Sequence, residues 1–110
     1  MVKLAPREDH KSASTYRVTS KLLLKSLFIK NNVRTVDLSR LDVNSREAFD
    51  AIRRCTTGNF VSKVDLSGNS LNCRLLGQLK REKLSRYLKT IVMQGLQIDA
   101  RELKREGLVY

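Results

Sequence analysis

The sequence predicts an α/β solenoid, a fold in which repeated strand–helix units stack side by side. A seven-residue segment that begins at Val33 (VRTVDLS) recurs at Val61 (VSKVDLS) and, more loosely, at Leu88 (LKTIVMQ). The offsets between the copies are 28 and 27 residues, and periods of roughly 20–50 residues are typical of stacked repeat units. Each copy is followed by a polar cap residue and an apolar helical segment. These observations predict three repeats, over residues 33–60, 61–87 and 88–110.

The residues before the first repeat predict a mobile arm and a helical cap. Residues 1–16 are polar and of mixed charge, a composition that favours a flexible basic arm. Residues 19–31 carry apolar side chains at helical spacing, and Thr19 or Ser20 suits the start of a helix. Because a solenoid exposes the apolar flank of its first unit, we expect this helix to cover it. A cationic helix lying on a membrane surface is the alternative.

Each repeat is expected to begin with a short strand whose alternate residues point to opposite faces. The positions expected in the core are Val36, Leu38, Val43, Val64, Leu66, Leu71, Ile91, Met93 and Ile98. The opposite face is expected to form the exposed, concave surface. Its residues are Thr35, Asp37, Ser39, Lys63, Asp65, Ser67, Thr90, Val92 and Gln94.

A short polar side chain precedes each predicted helix, where it can accept hydrogen bonds from first-turn amides. The caps and helical segments are Asn44 before 46–52, Asn72 before 74–79 and Asp99 before 100–103. One helix residue per repeat lies five residues after the last core position of the strand. These residues are Ala48, Leu76 and Leu103, and their common offset predicts that all three enter the core.

The middle copy completes a longer pattern. From Val61 to Leu71 the sequence fits L-x-x-L-x-L-x-x-N-x-L, with Val61 and Val64 in place of leucines. Over residues 33–110 the chain resembles a leucine-rich-repeat protein, and its period resembles the ribonuclease-inhibitor-like group of that family. The resemblance implies parallel strands on a concave face, full helices on a convex face and a partner bound at the concave face.

One position departs from the pattern of that family. The resemblance implies that its asparagine bonds buried backbone of the turn and of the next repeat. Here the asparagine occurs only as Asn69, and Leu41 and Leu96 take its place in the other copies. Because a leucine cannot satisfy buried amides and carbonyls, we expect the outer repeats to turn differently.

The chain is strongly basic, with 22 Lys and Arg against 11 Asp and Glu and a formal net charge of +11. Such a field favours acidic partners, whether nucleic acid, an anionic membrane or an acidic protein surface. One basic patch that can meet phosphates or an acidic partner is predicted. It comprises Arg74, Lys80, Arg81, Lys83, Arg86 and Lys89. Tyr87 is the only aromatic residue among these charges, so nucleic-acid binding there is expected to follow the backbone and to be salt-sensitive.

Two carboxylates are expected to face each other on the concave surface. If the strands pair in register, Asp37 and Asp65 stand about 4.8 Å apart, and like charges at this spacing repel each other. They are therefore candidate contacts for a basic residue of a partner. Arg34, Lys63 and Lys89 are expected close enough to neutralise them internally, and a solvated strand face explains the same residues more simply.

The chain holds few residues suited to catalysis. The single histidine, His10, lies in the predicted arm, and the two cysteines, Cys55 and Cys73, are expected to be reduced and unbridged. The sequence has no metal-ligand spacing and no phosphate-binding glycine loop. We therefore expect no metal, no cofactor and no enzymatic activity.

The sequence thus predicts a non-catalytic protein-interaction module, a small adaptor or a subunit or assembly factor of a larger complex. A basic RNA-associated subunit, which binds through the arm and the patch at residues 80–86, is the alternative. With no secretory signal and no long apolar segment, an intracellular protein is expected, cytoplasmic or nuclear, and a mitochondrial location is compatible with the basic N-terminus. The segment Leu108-Val109-Tyr110 has no clear polar cap, so the third repeat is expected to leave an apolar end for a partner or a second copy.

Overall fold

The computed structural model describes residues 15–27, 29, 32–57, 60–71, 73–85 and 87–109. In chain order the elements are β1 Thr15–Arg17, a 3₁₀ helix Lys21–Ser26, β2 Thr35–Asp37, α1 Ser45–Thr56, β3 Lys63–Asp65, α2 Cys73–Glu82, β4 Thr90–Met93, β5 Leu96–Ile98 and α3 Ala100–Arg105. Strands alternate with helices over most of this range, so the predicted α/β class is confirmed. Residues 1–14 of the predicted arm, residues 28, 30 and 31 of the predicted cap, Asn72 and Arg86 lie outside the described residues.

The five strands form one sheet whose order follows the chain, β1-β2-β3-β4-β5. The first four strands are parallel, and β5 pairs antiparallel with β4. Val36 lies beside Val64, and Val64 lies beside Ile91. The three sequence copies therefore pair in register, as their repeated pattern predicts, and their core positions form one continuous row.

The first strand lies partly inside the segment expected to be a mobile arm. Thr15 and Tyr16 belong to β1, and Tyr16 extends the core row by pairing with Val36. The ladder continues past the strand, because the amide of Val18 donates to the carbonyl of Asp37 at 3.0 Å. The segment before the first repeat thus contributes a strand to the sheet as well as a helix.

A 3₁₀ helix over Lys21–Ser26 occupies part of the range predicted as a helix, residues 19–31. Ser20 caps it, as expected, by accepting a hydrogen bond from the amide of Leu22 at 3.3 Å. Leu24 is its one buried residue, whereas the side chain of Leu22 is 88% exposed. The segment therefore covers less of the core than a full amphipathic helix would.

Polar caps set the starts of α1 and α3 as predicted. The side chain of Asn44 accepts a hydrogen bond from the amide of Glu47 at 2.8 Å, and the Glu47 carboxylate accepts one from the Asn44 amide at 3.0 Å. This reciprocal arrangement is a capping box. Asp99 caps α3 by accepting the amide of Glu102 at 3.1 Å.

One hydrophobic cluster joins the inward face of the sheet to the buried faces of the helices. Ala48 and Leu103 are fully buried, as their common offset predicts. Leu76 is only half-buried, and Leu75 is fully buried in its stead. Leu76 still packs against the cluster, so all three residues contact the core as their common offset predicts.

The chain covers its last apolar residues itself. Leu108 and Val109 are 1% and 5% exposed, and Val109 forms a parallel bridge with Leu84. The amide of Leu84 also donates to the carbonyl of Leu108 at 2.8 Å. The expectation that Leu108 and Val109 leave a surface for a partner is therefore wrong.

Asn69 joins the turn after β3 to the turn after β2. Its side-chain nitrogen donates to the carbonyls of Leu38 and Leu66 at 2.9 and 3.0 Å. Its side-chain oxygen accepts the amides of Leu41 and Val43 at 3.0 and 3.1 Å. Three of these four partners belong to the preceding copy. The family resemblance implied bonds to the next repeat, and this expectation is wrong because Asn69 bonds the backbone of the copy before its own.

The three turns share one left-handed residue and differ beyond it. Arg40, Gly68 and Gly95 occupy equivalent positions and have φ values of 54°, 75° and 77°. In the third copy Gln94 also has a positive φ of 48°, and with Gly95 it forms the two-residue turn into β5. A different turn, expected where leucine replaces the asparagine, is therefore observed in the third copy.

We expect Asn69→Ala to lower the free energy of unfolding by roughly 2–4 kcal/mol, because it leaves buried amides and carbonyls without partners. Urea unfolding measures this change. The matched variant Asn32→Ala, at an exposed turn residue, should change stability by less than about 0.5 kcal/mol. Equal losses in the two variants would contradict the role assigned to Asn69.

Two glycines should respond to alanine with opposite signs. A Cβ on Gly68 would lie 2.7 Å from Cγ of Arg40 in a residue with φ of +75°, so Gly68→Ala should destabilise by at least about 1 kcal/mol. A Cβ on Gly77 in α2 would meet nothing within 4 Å. Gly77→Ala should therefore stabilise by about 0.5–1 kcal/mol through helix propensity. Thermal unfolding of both variants checks the pair, and like signs would refute it.

Candidate interaction surface

The strand residues that point away from the core form two rows across the sheet, here called the sheet face. The first row consists of Thr15, Thr35, Lys63 and Thr90, and the second of Arg17, Asp37, Asp65, Val92 and Gln97. The six predicted concave residues of β2, β3 and β4 all lie in these rows and are half-buried. The structure thus brings them together, and their role in binding stays a prediction.

Asp37 is held by contacts within the protein. Its Oδ1 accepts hydrogen bonds from the amide of Ser39 at 2.9 Å and from the Ser39 hydroxyl at 2.6 Å. Its Oδ2 lies 3.9 Å from Nε of Arg17 on β1. The cation paired with Asp37 is therefore Arg17, a residue that sequence reasoning did not connect with the carboxylate, and not one of the three basic residues expected to neutralise it.

The environment of Asp37 holds its carboxyl group in the charged form. Partial burial acts to raise the pKa, because it removes water from the carboxylate. The hydrogen bonds from Ser39 and the positive charge of Arg17 outweigh this effect, so the pKa of Asp37 lies below its ordinary value of 3.8. The charged form of Asp37 is thus favoured by folding.

The remaining predicted concave residues lie at the strand ends. Ser67 donates its amide to Oδ1 of Asp65 at 2.9 Å, which repeats the Asp37–Ser39 contact one strand along. Gln94 lies in the turn between β4 and β5, and its side-chain amide donates to the carbonyl of Leu71 in the preceding turn. Gln94 therefore links neighbouring turns, and its side chain does not stand in the rows of the sheet face.

An aromatic and cationic cluster lies at the end of the sheet where the parallel strands β2, β3 and β4 begin, and we call it the edge cluster. The rings of Phe60 and Tyr87 pack edge to face, with centroids 4.8 Å apart and an interplanar angle of 72°. Cζ of Arg34 lies 5.9 Å from the centroid of the Phe60 ring, within the range of a cation–π contact. Both rings are almost half exposed, at 46% and 43%. Sequence reasoning missed the pair, although its spacing of 27 residues equals a repeat offset.

The described residues of the predicted basic patch lie in different local settings, and their role in binding stays a prediction. Arg74 and Arg81 line a cleft between α1 and α2, together with Arg46, which was not among the predicted residues. Lys80 instead pairs with Glu106 at 3.4 Å. Lys83 and Lys89 are exposed, beyond the end of α2 and before β4.

Three further points concern the thiol of Cys55, possible metal ligands and the length of the described helices. Cys55 is a buried thiol within α1, and burial raises its pKa to about 12, so it stays protonated at neutral pH. No group of three or more His, Cys, Asp or Glu side chains in the described ranges is placed to hold a metal ion. Among the described helices, none combines the length and the apolar character that a bilayer crossing requires.

Comparison of the chain with protein-family models, with curated proteins and with solved structures finds no match in any of the three. The resemblance to leucine-rich repeats therefore stays a prediction from the sequence pattern. Function has to be inferred from the surfaces of the molecule.

We expect the cost of Asp37→Asn to depend on pH. Because the folded pKa is depressed, the charged carboxylate stabilises the protein above its ordinary pKa of 3.8, and this contribution is lost as pH falls through the folded value. The stability difference between wild type and variant should thus be largest near neutral pH and shrink below about pH 4. Urea unfolding of both proteins over this range measures it, and a difference that does not change with pH would refute the assignment.

Proposed function

We propose that this protein is a small leucine-rich-repeat solenoid that acts as a non-catalytic protein-interaction module. Three observations support the architecture. Parallel strands follow one another in chain order, the side chain of Asn69 bonds the backbone of two successive turns, and the turn residues Arg40, Gly68 and Gly95 share a left-handed conformation. Repetition of one unit with contacts mainly to its neighbours is the defining property of solenoids.

The sheet face is the observation that carries the functional proposal. Two adjacent strands, β3 and β4, hold Lys63, Asp65, Thr90 and Val92 at fixed strand spacing, with each side chain half-buried. A rigid backbone presents these groups without having to be ordered on binding, which lowers the entropic cost of association. The mixture of cation, carboxylate, hydroxyl and methyl groups suits a protein surface, whose contacts combine polar and apolar area.

The edge cluster supports the same proposal. Tyr, Phe and Arg are enriched at protein interfaces, where large side chains bury much area with few rotatable bonds. Phe60 and Tyr87 are held against each other in the free protein and remain almost half exposed. A partner that docks on the sheet face and reaches the amino-terminal ends of its strands would bury this pair.

Asp37 contributes to this surface differently from its neighbour. Its contacts with Ser39 and Arg17 make it a structural carboxylate, whereas Asp65 accepts the Ser67 amide and lies in register beside Val92. We propose Lys63, Asp65, Thr90 and Val92 as the partner contacts. The function is then that of an adaptor or of a subunit in a larger protein assembly.

Charge reversal tests the proposal. Lys63→Glu changes the sheet face, and Lys104→Glu makes the same change at an exposed residue of α3. Both tagged variants and the wild type are used to capture proteins from a lysate divided into nuclease-treated and untreated halves, with quantification by mass spectrometry. We expect the partners of the wild type to fall at least tenfold with Lys63→Glu and to be retained with Lys104→Glu, because only the former lies at the interface.

The control for this experiment is the urea unfolding curve of each variant, which should match that of the wild type within about 0.5 kcal/mol. Equal retention of partners by both variants would contradict binding at the sheet face. Loss of all partners on nuclease treatment of the wild type would favour the nucleic-acid alternative.

A further inference from the structure

A cleft with a volume of about 650 Å³ opens between α1 and α2. Arg46 comes from the first turn of α1, and Arg74 and Arg81 come from the two ends of α2. Asn44, Gly77 and Gln78 also line it, and none of its lining residues in the described part of the chain is acidic. The cleft therefore gathers positive charge from two helices around one open volume.

The neighbouring carboxylates do not neutralise this charge. Five ion pairs join side chains within the described part of the chain, and neither Arg46 nor Arg81 takes part in one. Glu47, next to Arg46 in sequence, pairs with Lys21 at 3.2 Å and accepts the Asn44 amide. Glu82, next to Arg81, lies 4.0 Å from Arg53. These two carboxylates are thus engaged elsewhere.

Gly77 gives an independent reason to regard the cleft as a binding site. It lies within α2, where glycine is unfavourable relative to alanine, and a Cβ there would meet no atom within 4 Å. Packing against the rest of the protein therefore does not require a glycine at this position. The missing side chain does keep the wall of the cleft open between Arg74 and Arg81, so that a ligand can approach the helix backbone.

We propose that this cleft binds phosphodiester groups of a nucleic-acid strand. Guanidinium groups match phosphate oxygens in geometry and charge, and arginine keeps its charge at all physiological pH values. The described lining residues are all polar or glycine, so no apolar side chain among them is offered to a phosphorylated peptide. With no aromatic side chain among them, the bases find no stacking surface, and the cleft recognises the backbone without sequence preference.

The net charge of +11 supports a polyanion over a single small phosphate. A strand that places phosphates near Arg46 and Arg81 releases counterions for each phosphate neutralised, whereas a single small phosphate does so only once. The site lies on the helices and uses none of the residues of the sheet face. The nucleic-acid and protein-binding proposals can therefore fail independently of each other.

Fluorescence anisotropy with labelled oligouridine and oligothymidine of about 15 nucleotides tests this inference. The cleft variant is Arg46→Gln with Arg81→Gln, and the matched control is Arg101→Gln with Lys104→Gln, which removes two charges from exposed positions of α3. We expect the cleft variant to weaken binding at least tenfold and the control to weaken it less than threefold. The RNA and DNA arms show whether the sugar contributes.

Salt dependence gives a second readout. Between roughly 50 and 200 mM salt, each phosphate contact to a single strand contributes about 0.7 to the slope of log K against log salt concentration. The cleft variant should therefore show a slope smaller by about 1.4, since two phosphate contacts are lost. Gly77→Leu, which fills the cleft without changing charge, should also weaken binding, and its unfolding curve shows whether α2 remains folded.

Three results would overturn the inference. The first is that the wild type binds neither oligonucleotide, and the second is that the control pair weakens binding as much as the cleft pair. The third is that inorganic phosphate or a phosphoserine peptide binds to the wild type through Arg46 and Arg81 while the oligonucleotides do not, which would make the cleft a site for small phosphates or for phosphoproteins.

Discussion

The buried amide of Asn69 is the contact on which the arrangement of the sheet depends. Strands of three residues form few ladder hydrogen bonds, so the turns that follow them must be fixed by other means. Asn69 satisfies two carbonyls and two amides at the junction of β2 and β3, groups that would otherwise be buried without partners. Because these bonds span two copies, they hold the turns together and help keep Asp37 beside Asp65. The geometry of the sheet face thus depends on a buried side chain in the turn after β3.

The third copy lacks this asparagine, and the chain reaches a similar result with different residues. Gln94 donates its side-chain amide to the carbonyl of Leu71, which lies in the turn that Asn69 begins. The exposed Leu96 then starts an antiparallel strand instead of entering the core. Side-chain contacts across neighbouring turns are therefore a general requirement of this sheet, while the residue that supplies them differs between copies.

Much of the fold could be predicted because the repeated pattern encodes it directly. The row formed by Val36, Val64 and Ile91 follows from aligning the copies, and the caps at Asn44 and Asp99 follow from local chemistry. By contrast, β1 has no copy of the pattern and is too short to show a period, so its ion pair between Arg17 and Asp37 was not foreseeable. The cleft depends on how α1 and α2 rotate against each other, which single positions such as Leu76 did not reveal. The edge cluster is an intermediate case, since the repeat offset places Phe60 and Tyr87 together only once the register is known.

A sheet built from similar parallel units can be extended without limit, because each new unit leaves an edge to which another can be added. Exposed strand edges can pair in the same way with strands of other molecules, which leads to polymers and aggregates. The hairpin at Gln94 and Gly95 breaks the symmetry by reversing the direction of the chain, so that β5 occupies the edge of β4 with the opposite polarity. Among the described strands, β1 is then the only parallel edge that another chain can extend. Because β5 occupies the edge of β4, the strand β4 of one molecule cannot pair directly with β1 of another as the next parallel unit.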